Sequence, residues 1–366
     1  MVRRLAGHDE RDRMAAVELA EDDAPLDPDV PARRRWRGWA LVIASAALVA
    51  SATTLVVVTS DGPDSGAVLG ADRPHPDGRI VFGRITRTDE TLGVRTALFA
   101  VDPDGTDERR LTEGASAHPA WSPDGTRIAY ATGLEDGSWQ VATMAPDGTD
   151  VRVLTSGPGV HEMPSWSPDG RWLAYGHNPD PLAPGSRSTL WRMDADGGGQ
   201  RPLGARDTVD LGPRVSPDGR SVLFVRVVPD ADPERATLMV RDLGTGEERS
   251  VPAAGDRVES PTWSPDGRWI AYDVPRTPNR RQQLEKVRAD GSGEPVVLLE
   301  GTTAVAGYQP AFSPDGTSIA FVCFGVETSV DEAICVMGSD GSDVRLLSDH
   351  TPIWETQPTW GPVAKR

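Results

Sequence analysis

The chain has 366 residues, of which 38% are hydrophobic, and its 55 acidic residues outnumber 38 basic ones to give a net charge of −17. This length suits one large domain or two ordinary ones. The acidic surplus excludes a uniform nucleic-acid-binding surface, because phosphate contacts need clustered lysine and arginine side chains. Only two cysteines occur, which excludes a cysteine-rich zinc site and a dense disulfide framework.

The N-terminal part differs in composition from the rest of the chain. Residues 1–37 are polar and mixed in charge, without a sustained apolar period, and we expect a disordered cytoplasmic segment. Residues 38–60 carry no charge and are numerous enough to cross a hydrocarbon core of about 30 Å as a helix. Arginines precede this run and aspartates follow it, so the positive-inside rule places everything after it outside the cytoplasm. The pattern predicts a single-pass transmembrane helix at 38–60, a linker at 61–74 and an extracytoplasmic domain at 75–366.

A cleaved signal peptide is the alternative interpretation of the same apolar run. The small residues Ala50, Ser51 and Ala52 resemble a cleavage site. Against this, the apolar run continues to Val58, beyond the usual length of a signal-peptide core. Both interpretations carry the bulk of the chain across a membrane.

One phrase recurs through the rest of the chain and defines a repeat. Its Ser-Pro-Asp-Gly turns are separated by 45, 49, 48 and 49 residues and begin at Ser122, Ser167, Ser216, Ser264 and Ser313. Ser-Pro-Asp-Gly suits a type I turn, and the alternating apolar residues after it predict a strand. A second strand phrase in each unit, such as 141–154, ends in an Asp-Gly turn. One unit is therefore four antiparallel strands in about 48 residues, the size of a propeller blade.

The two ends of the repeat region complement each other. The last phrase, 357–366, repeats an inner strand and stops at the turn, whereas the first, 75–84, begins at that turn. We therefore expect the C-terminal strand to complete the blade that the N-terminal strands begin, which closes the ring and removes exposed edges. The predicted fold is an all-β, six-bladed propeller of four-stranded antiparallel blades, preceded by the transmembrane helix.

The repeated phrase Trp-Ser-Pro-Asp-Gly-x-x-Ile/Leu-Ala-Tyr/Phe, with its downstream Asp-x-Asp-Gly turn, resembles the TolB-type β-propeller repeat over residues 75–362. This resemblance implies an envelope protein that acts by binding protein partners. Similar propellers also gate or dock in prolyl-oligopeptidase-like and tricorn-like peptidases. The separate N-terminal α/β domain of TolB is not expected here, where the apolar segment stands, so a role in the Tol–Pal system does not carry over.

Catalytic motifs are not recognisable in the sequence. We find no Gly-x-Ser-x-Gly elbow, phosphate loop or dinucleotide motif, and the "HEMPS" stretch at 161–165 lacks the second histidine of a zinc-peptidase helix. We therefore expect neither catalysis nor a cofactor. The aspartates of the repeated turns suggest calcium ligands, but their turn positions explain them better. The tryptophans beside the turns are interpreted as core between blades rather than as a stacking platform.

The two faces of the predicted disc differ. The tight turns share one face, and irregular connections, such as 176–189 and 227–236, share the other, where we expect specific binding. Short segments leading into the inner strands should converge around the axis on that irregular face. They carry the candidate binding residues His118, His161, Glu162, Asp210, Glu259, Tyr308, Gln309, Glu355 and Gln357. This set is mostly acidic and suits a basic peptide or a metal ion.

Cys323 and Cys335 lie on adjacent strands of one predicted hairpin, equidistant from its centre near Ser329. An oxidising compartment favours a disulfide between them. Two separate buried thiols remain the alternative, because the geometry of a cross-strand bridge is demanding.

These patterns together predict a non-catalytic binding or scaffold protein of the cell envelope, held in the cell membrane by one helix, with a protein or peptide partner. One alternative is a carbohydrate-active or hydrolytic propeller enzyme with its site in the channel mouth. Another is a sensory ectodomain that passes a signal to the N-terminal segment.

Overall fold

A computed structural model describes residues 78–89, 93–183, 185–204, 208–228, 235–253, 257–276, 281–301, 306–325, 330–347 and 354–362. The expected disordered segment, transmembrane helix and linker at 1–74 lie outside these residues and stay predictions. Within the described ranges, all regular secondary structure is β-strand, and no helix is present. No helix in this part is long and apolar enough to cross a membrane.

The described ranges contain 24 strands. The first eight are β1 Ile80–Asp89, β2 Gly93–Val101, β3 Arg109–Arg110, β4 Ser116–Trp121, β5 Ile128–Gly133, β6 Trp139–Met144, β7 Arg152–Val153 and β8 Val160–Trp166. The next eight are β9 Trp172–Asn178, β10 Thr189–Asp194, β11 Arg201–Pro202, β12 Val209–Val215, β13 Ser221–Val228, β14 Arg235–Asp242, β15 Glu248–Ser250 and β16 Glu259–Trp263. The last eight are β17 Trp269–Arg276, β18 Arg281–Arg288, β19 Val296–Leu299, β20 Ala306–Phe312, β21 Ser318–Gly325, β22 Val330–Gly338, β23 Arg345–Leu346 and β24 Glu355–Trp360.

These strands form antiparallel four-stranded units in chain order. Unit 1 is β24-β1-β2-β3, so the last strand pairs with the first, as the two ends of the repeat region predict. Units 2 (β4–β7) and 3 (β8–β11) are joined into one sheet by a single parallel bridge between Trp139 and Val160. Units 4 (β12–β15), 5 (β16–β19) and 6 (β20–β23) are separate sheets. We call the first strand of each order, namely β24, β4, β8, β12, β16 and β20, the inner strand.

The hydrophobic core lies between consecutive units rather than within one. For example, one cluster joins Leu98 of unit 1 to Ile128 and Met144 of unit 2. Corresponding clusters join units 2 and 3, 3 and 4, 4 and 5, 5 and 6, and 6 and 1. Inner strands also contact one another in this cyclic order. The six units therefore pack in a closed ring, and their inner strands surround a central space.

The repeated tryptophans belong to this packing. Trp121, Trp166, Trp263 and Trp360 each pack against one of the clusters between units. Trp166 donates its indole N–H to Ala120 O at 3.1 Å, and Trp263 donates to Arg214 O at 3.0 Å, in each case on the preceding inner strand. Core packing, rather than a stacking platform for a ligand, explains their period.

The repeated turns owe their shape to one serine hydroxyl. Ser264, which is buried, donates to Asp266 Oδ1 at 2.6 Å and accepts the backbone N–H of Trp269 at 2.9 Å. Gly267, at a φ of +70°, donates its backbone N–H to Ser264 O at 2.9 Å. The same hydroxyl bonds recur in the other four turns. The aspartates are thus explained as turn acceptors.

Replacing Ser264 with alanine should lower the free energy of unfolding by about 1–3 kcal/mol, because the Trp269 N–H loses its acceptor and Asp266 keeps only its bonds to Arg268. Chemical denaturation measures this difference. The matched control is Ser292→Ala, which removes an exposed hydroxyl that donates to Asp290 in a similar turn. Equal losses for the two variants would contradict the importance of the buried bond.

The two cysteines lie on β21 and β22, and the structure joins them in a disulfide with Cα atoms 5.7 Å apart. Their positions differ in detail from a face-to-face pair. Cys323 lies opposite Ala333, and Cys335 lies opposite Phe321, so the bridge runs diagonally between the strands. The reason is that the hairpin is centred about one residue before Ser329.

Candidate functional site

Each inner strand contains a bulge at the residue that precedes its proline. At this position the pairing register shifts, and the backbone takes a positive φ of 47° to 60°. The residues concerned are His118, Met163, Gly212, Ser260, Gln309 and Gln357. Positive φ is uncommon for non-glycine residues, and bulges often re-aim a side chain beside a functional site. Because this unusual backbone conformation recurs in all six inner strands, the bulges mark a candidate functional site.

Side chains of neighbouring units stabilise three of these bulges. His118 donates its backbone N–H to Gln357 Oε1 at 2.7 Å, and Gln357 donates its own N–H to Gln309 Oε1 at 2.7 Å. Gln309 in turn donates its N–H to Asp273 Oδ1 at 3.1 Å. The structure thus brings together three of the predicted residues, His118, Gln309 and Gln357, in one chain of hydrogen bonds from unit 5 to unit 2.

Asp273 is a part of this chain that the sequence analysis did not include. It is fully buried, and its Oδ2 has no hydrogen-bond partner in the described part of the chain. Burial, with Glu259 as a close negative neighbour, raises the pKa of Asp273. The sequence signal was present, since "AYD" in the fourth repeat replaces a small or apolar residue after the aromatic one.

The other predicted acids are mostly neutralised by arginines. Asp210 forms a two-pronged pair with Arg226, at 2.8 and 2.9 Å, from the adjacent strand β13. Glu355 accepts from Arg84 Nε at 2.9 Å in the corresponding place of unit 1. Glu259 pairs with Arg257 at 2.7 Å. These three carboxylates are therefore parts of ion pairs within their own units, and the expected acidic rim is close to charge-balanced.

His161 belongs to a different surface from His118. It is buried, and its ring stacks on that of His177 with centroids 4.2 Å apart. Burial and the neighbouring His177 lower the pKa of His161 to about 4. Together with Tyr175 and Trp191, the two imidazoles line a cavity of about 210 Å³. His161 is thus a neutral wall residue of this cavity.

Tyr308 is partly buried, and its phenol is desolvated. Its ring meets that of Phe324 edge-on at 6.1 Å. Burial, together with the neighbouring Glu332, to which it hydrogen-bonds, raises the pKa of Tyr308 well above its usual value. Tyr308 therefore acts as a neutral hydrogen-bonding group at this position.

His118 and Glu162 form a buried pair without the usual partners. Their side chains are 8% and 6% exposed, and His118 Nδ1 lies 3.7 Å from Glu162 Oε2, too far for a hydrogen bond. Both ring nitrogens of His118 lack a partner in the described ranges. Burial raises the pKa of Glu162 to about 8, and burial together with the charge of Arg214 lowers the pKa of His118 to about 3. Near neutral pH, both groups are therefore mainly uncharged.

Arg214 of β12 is the third member of this cluster, and the sequence analysis missed it. Burial lowers its pKa to about 10, so the guanidinium remains charged at neutral pH. Its one hydrogen bond among the described residues goes to Pro213 O at 3.0 Å, and none of their carboxylates pairs with it. The signal lay in the aligned repeats, because the third has arginine after its proline where the others have alanine, serine or threonine.

A metal site is not formed by these residues. Within the ranges that the structure describes, no three histidine, cysteine or carboxylate side chains are grouped so that they could hold a metal ion. The site is instead a set of enclosed hydrogen-bonding groups, some of them without partners, around the bulged residues of the inner strands.

Comparisons with known proteins agree with this architecture. The sequence profile described as the TolB β-propeller domain matches residues 106–305, more than half of the chain. The uncharacterised protein Atu1656 of Agrobacterium fabrum is 30% identical over 154 residues, 40% of this chain and 50% of that protein. The uncharacterised peptidase YuxL of Bacillus subtilis is 28% identical over 172 residues, 38% of this chain and 26% of that protein. The chain thus matches half or less of the length of these relatives.

The solved structure of TolB from Acinetobacter baumannii is similar in fold, with a TM-score of 0.64 over 79% of this chain and 68% of that one. At 22% identity, this similarity supports the fold alone. The sequence profile, by contrast, identifies the family. The chain belongs to the TolB β-propeller domain family.

Proposed function

We propose that this protein is a six-bladed, TolB-like propeller that binds a protein or peptide partner through its irregular-loop face and channel mouth, without catalysis. The four-stranded units described above would be its blades. The proposal places the propeller outside the cell membrane, with segment 38–60 as a single transmembrane anchor. The uncharged run and the arginines before it support this location.

Apolar side chains exposed on the irregular face carry the proposal. They lie after β5 or β9, at the end of β13 or before β24, at the ends of the units opposite the repeated turns, and they come from four consecutive units. They are Trp354, Leu134, Leu182 and Val228, with exposed fractions of 38%, 42%, 86% and 46%. Large apolar groups exposed together on one face are typical of protein interaction surfaces. Connecting loops are also where binding residues concentrate.

An enzyme with its site in the channel mouth is the second candidate. The match to the Bacillus peptidase favours it. Because that match covers only 26% of the peptidase, it does not assign the activity of the whole peptidase to this chain. Binding is preferred because the groups at the axis are neutral donors, ion pairs and the charged Arg214, with no activated nucleophile among the described residues.

A photo-cross-linking experiment in the native envelope tests the proposal. A photoactivatable amino acid is placed in the full-length chain at Leu182 on the irregular face, or at Thr126, which is exposed in a repeated turn. We expect a discrete cross-linked protein from position 182 only. Leu134→Ser with Trp354→Ser should reduce this product at least tenfold, whereas the control pair Val151→Ser and Val296→Ser, exposed near or on outer strands, should not.

Equal cross-linking from both faces, or from neither, would contradict a binding role for the irregular face. The same purified protein also tests the anchor. N-terminal sequencing should begin at or near Met1 in the membrane fraction. A sequence beginning near Thr53 would instead indicate a cleaved signal peptide and a released protein.

A further inference from the structure

The third repeat places one large cation where the other repeats have small side chains. The residue after the inner-strand proline is small in five units, namely Ala120, Ser165, Thr262, Ala311 and Thr359. In unit 4 it is Arg214. A single arginine beside short side chains can extend into the space that the inner strands enclose, because these side chains fill little of it.

The order of the inner strands supports an Arg214 side chain that extends into this enclosed space. Arg214 lies on β12 and His118 lies on β4, and β8 stands between these two strands in the ring of inner strands. Beside Arg214, Val215 donates its backbone N–H to Ser165 Oγ of β8 at 3.0 Å, so β12 lies directly against the strand that carries Glu162. The positive charge of Arg214 is also one cause of the lowered pKa of His118. Glu162, on the intervening β8, lies 3.7 Å from His118 and completes the cluster.

Hydrogen-bond donors of Arg214 and His118 lack an acceptor among the described residues. Arg214 offers several N–H donors and a positive charge without a carboxylate among the described residues. The neutral imidazole of His118 offers an N–H donor, and the protonated carboxyl of Glu162 offers an O–H donor. Arg214 is only partly buried, whereas the ring nitrogens of His118 are buried, and a buried donor without an acceptor is costly. The group that would satisfy all three is a small anion.

We propose that Arg214, His118 and Glu162 form a binding site for a carboxylate group inside the channel. A carboxylate accepts two parallel hydrogen bonds from a guanidinium, which gives both charge pairing and orientation. One cation with two neutral donors matches a single negative charge better than the double charge of a phosphate. The carboxylate reaches the channel either on the end of a peptide or as a free small molecule.

This inference deepens the proposed function, because it names the chemistry by which the channel mouth would recognise a ligand. It differs from the expectation of a basic peptide, which rested on counting acids in the sequence. Those acids are paired with arginines from their own units, whereas the unpaired charge at the axis is positive. The side chains that the inner strands enclose therefore favour the opposite sign of ligand.

Fluorescence titration of the full-length protein tests the inference with dansyl-Gly-Gly-Ala as the free acid and as the C-terminal amide. We expect the acid to bind at least tenfold more tightly than the amide. Arg214→Met should reduce acid binding to the level of the amide, and Arg214→Lys should fall between. The control Arg192→Met removes an arginine that stacks on Trp172 in unit 3 and should leave the acid affinity unchanged.

Equal binding of acid and amide, or no binding of either, would overturn the carboxylate site, even if a variant failed to fold. Displacement of the peptide acid by sodium acetate would assign the affinity to the carboxylate group itself. If only the peptide acid binds, the site takes a chain terminus. Cross-linking from position 182 is independent of these results, so loss of the carboxylate site alone leaves the proposed partner binding intact.

Discussion

Deletion of residues 354–366 is expected to abolish the cooperative unfolding of the propeller. The deletion removes β24, whose pairing with β1 completes unit 1. It also removes Trp360 from the core between units 6 and 1 and leaves the buried Arg84 without its Glu355 partner. The combined loss approaches the roughly 5–15 kcal/mol that stabilises a typical domain. The exposed edge of β1 should then promote aggregation.

Thermal unfolding followed by circular dichroism, with size-exclusion chromatography, measures this effect. The matched control is deletion of 363–366 alone, which leaves β24 and the Gly361 N–H bond to Arg79 O in place. That control should unfold as the full-length protein does. A protein that lacks 354–366 yet keeps its melting temperature would show that β24 contributes little to closure.

Glu162→Gln is expected to reduce the loss of stability at alkaline pH. Because burial raises the folded-state pKa of Glu162 from an ordinary 4.5 to about 8, the unfolded chain releases this proton first, and stability falls as pH rises between these values. His118 acts oppositely, since its folded pKa is lowered from 6.5 to about 3 and stability rises with pH through that window. The Glu162 effect is therefore clearest above pH 6.5.

From pH 6.5 to 8, the wild-type protein should lose up to about 2 kcal/mol through Glu162, because one pKa unit corresponds to about 1.4 kcal/mol. Glutamine cannot ionise, so the Glu162→Gln variant should have a flatter profile and exceed the wild type in stability at pH 8. Urea unfolding at several pH values measures both profiles. The control Glu113→Gln changes an exposed carboxylate and should follow the wild type. Parallel profiles for all three proteins would contradict a protonated Glu162.

The repeated sequence predicted most of the observed fold. Each Ser-Pro-Asp-Gly turn is held by bonds among residues at most five positions apart, such as Ser264, Asp266 and Trp269, so its residues specify it locally. The alternating strands beside it follow from the same local pattern. The pairing of β24 with β1 was also predictable, because the first and last phrases are complementary parts of one repeat.

The roles of the polar residues near the axis depended on contacts between distant parts of the chain. Asp210 and Glu355 look like rim acids in the sequence, but strand pairing sets them opposite Arg226 and Arg84 and removes their free charge. The diagonal position of Cys323 and Cys335 likewise depends on the register of a hairpin whose centre the sequence locates only approximately.

Arg214 is the clearest example of a residue whose role depends on the tertiary structure. In the sequence it is one arginine among many, and only its place after the proline of the third repeat distinguishes it. Its role depends on the ring, which places β12 and β4 on either side of β8, the strand that carries Glu162 beside His118. Turn chemistry and strand alternation are short-range and can be read along the chain. Charge compensation depends on which side chains meet in three dimensions, and here that was decided by closure of the ring.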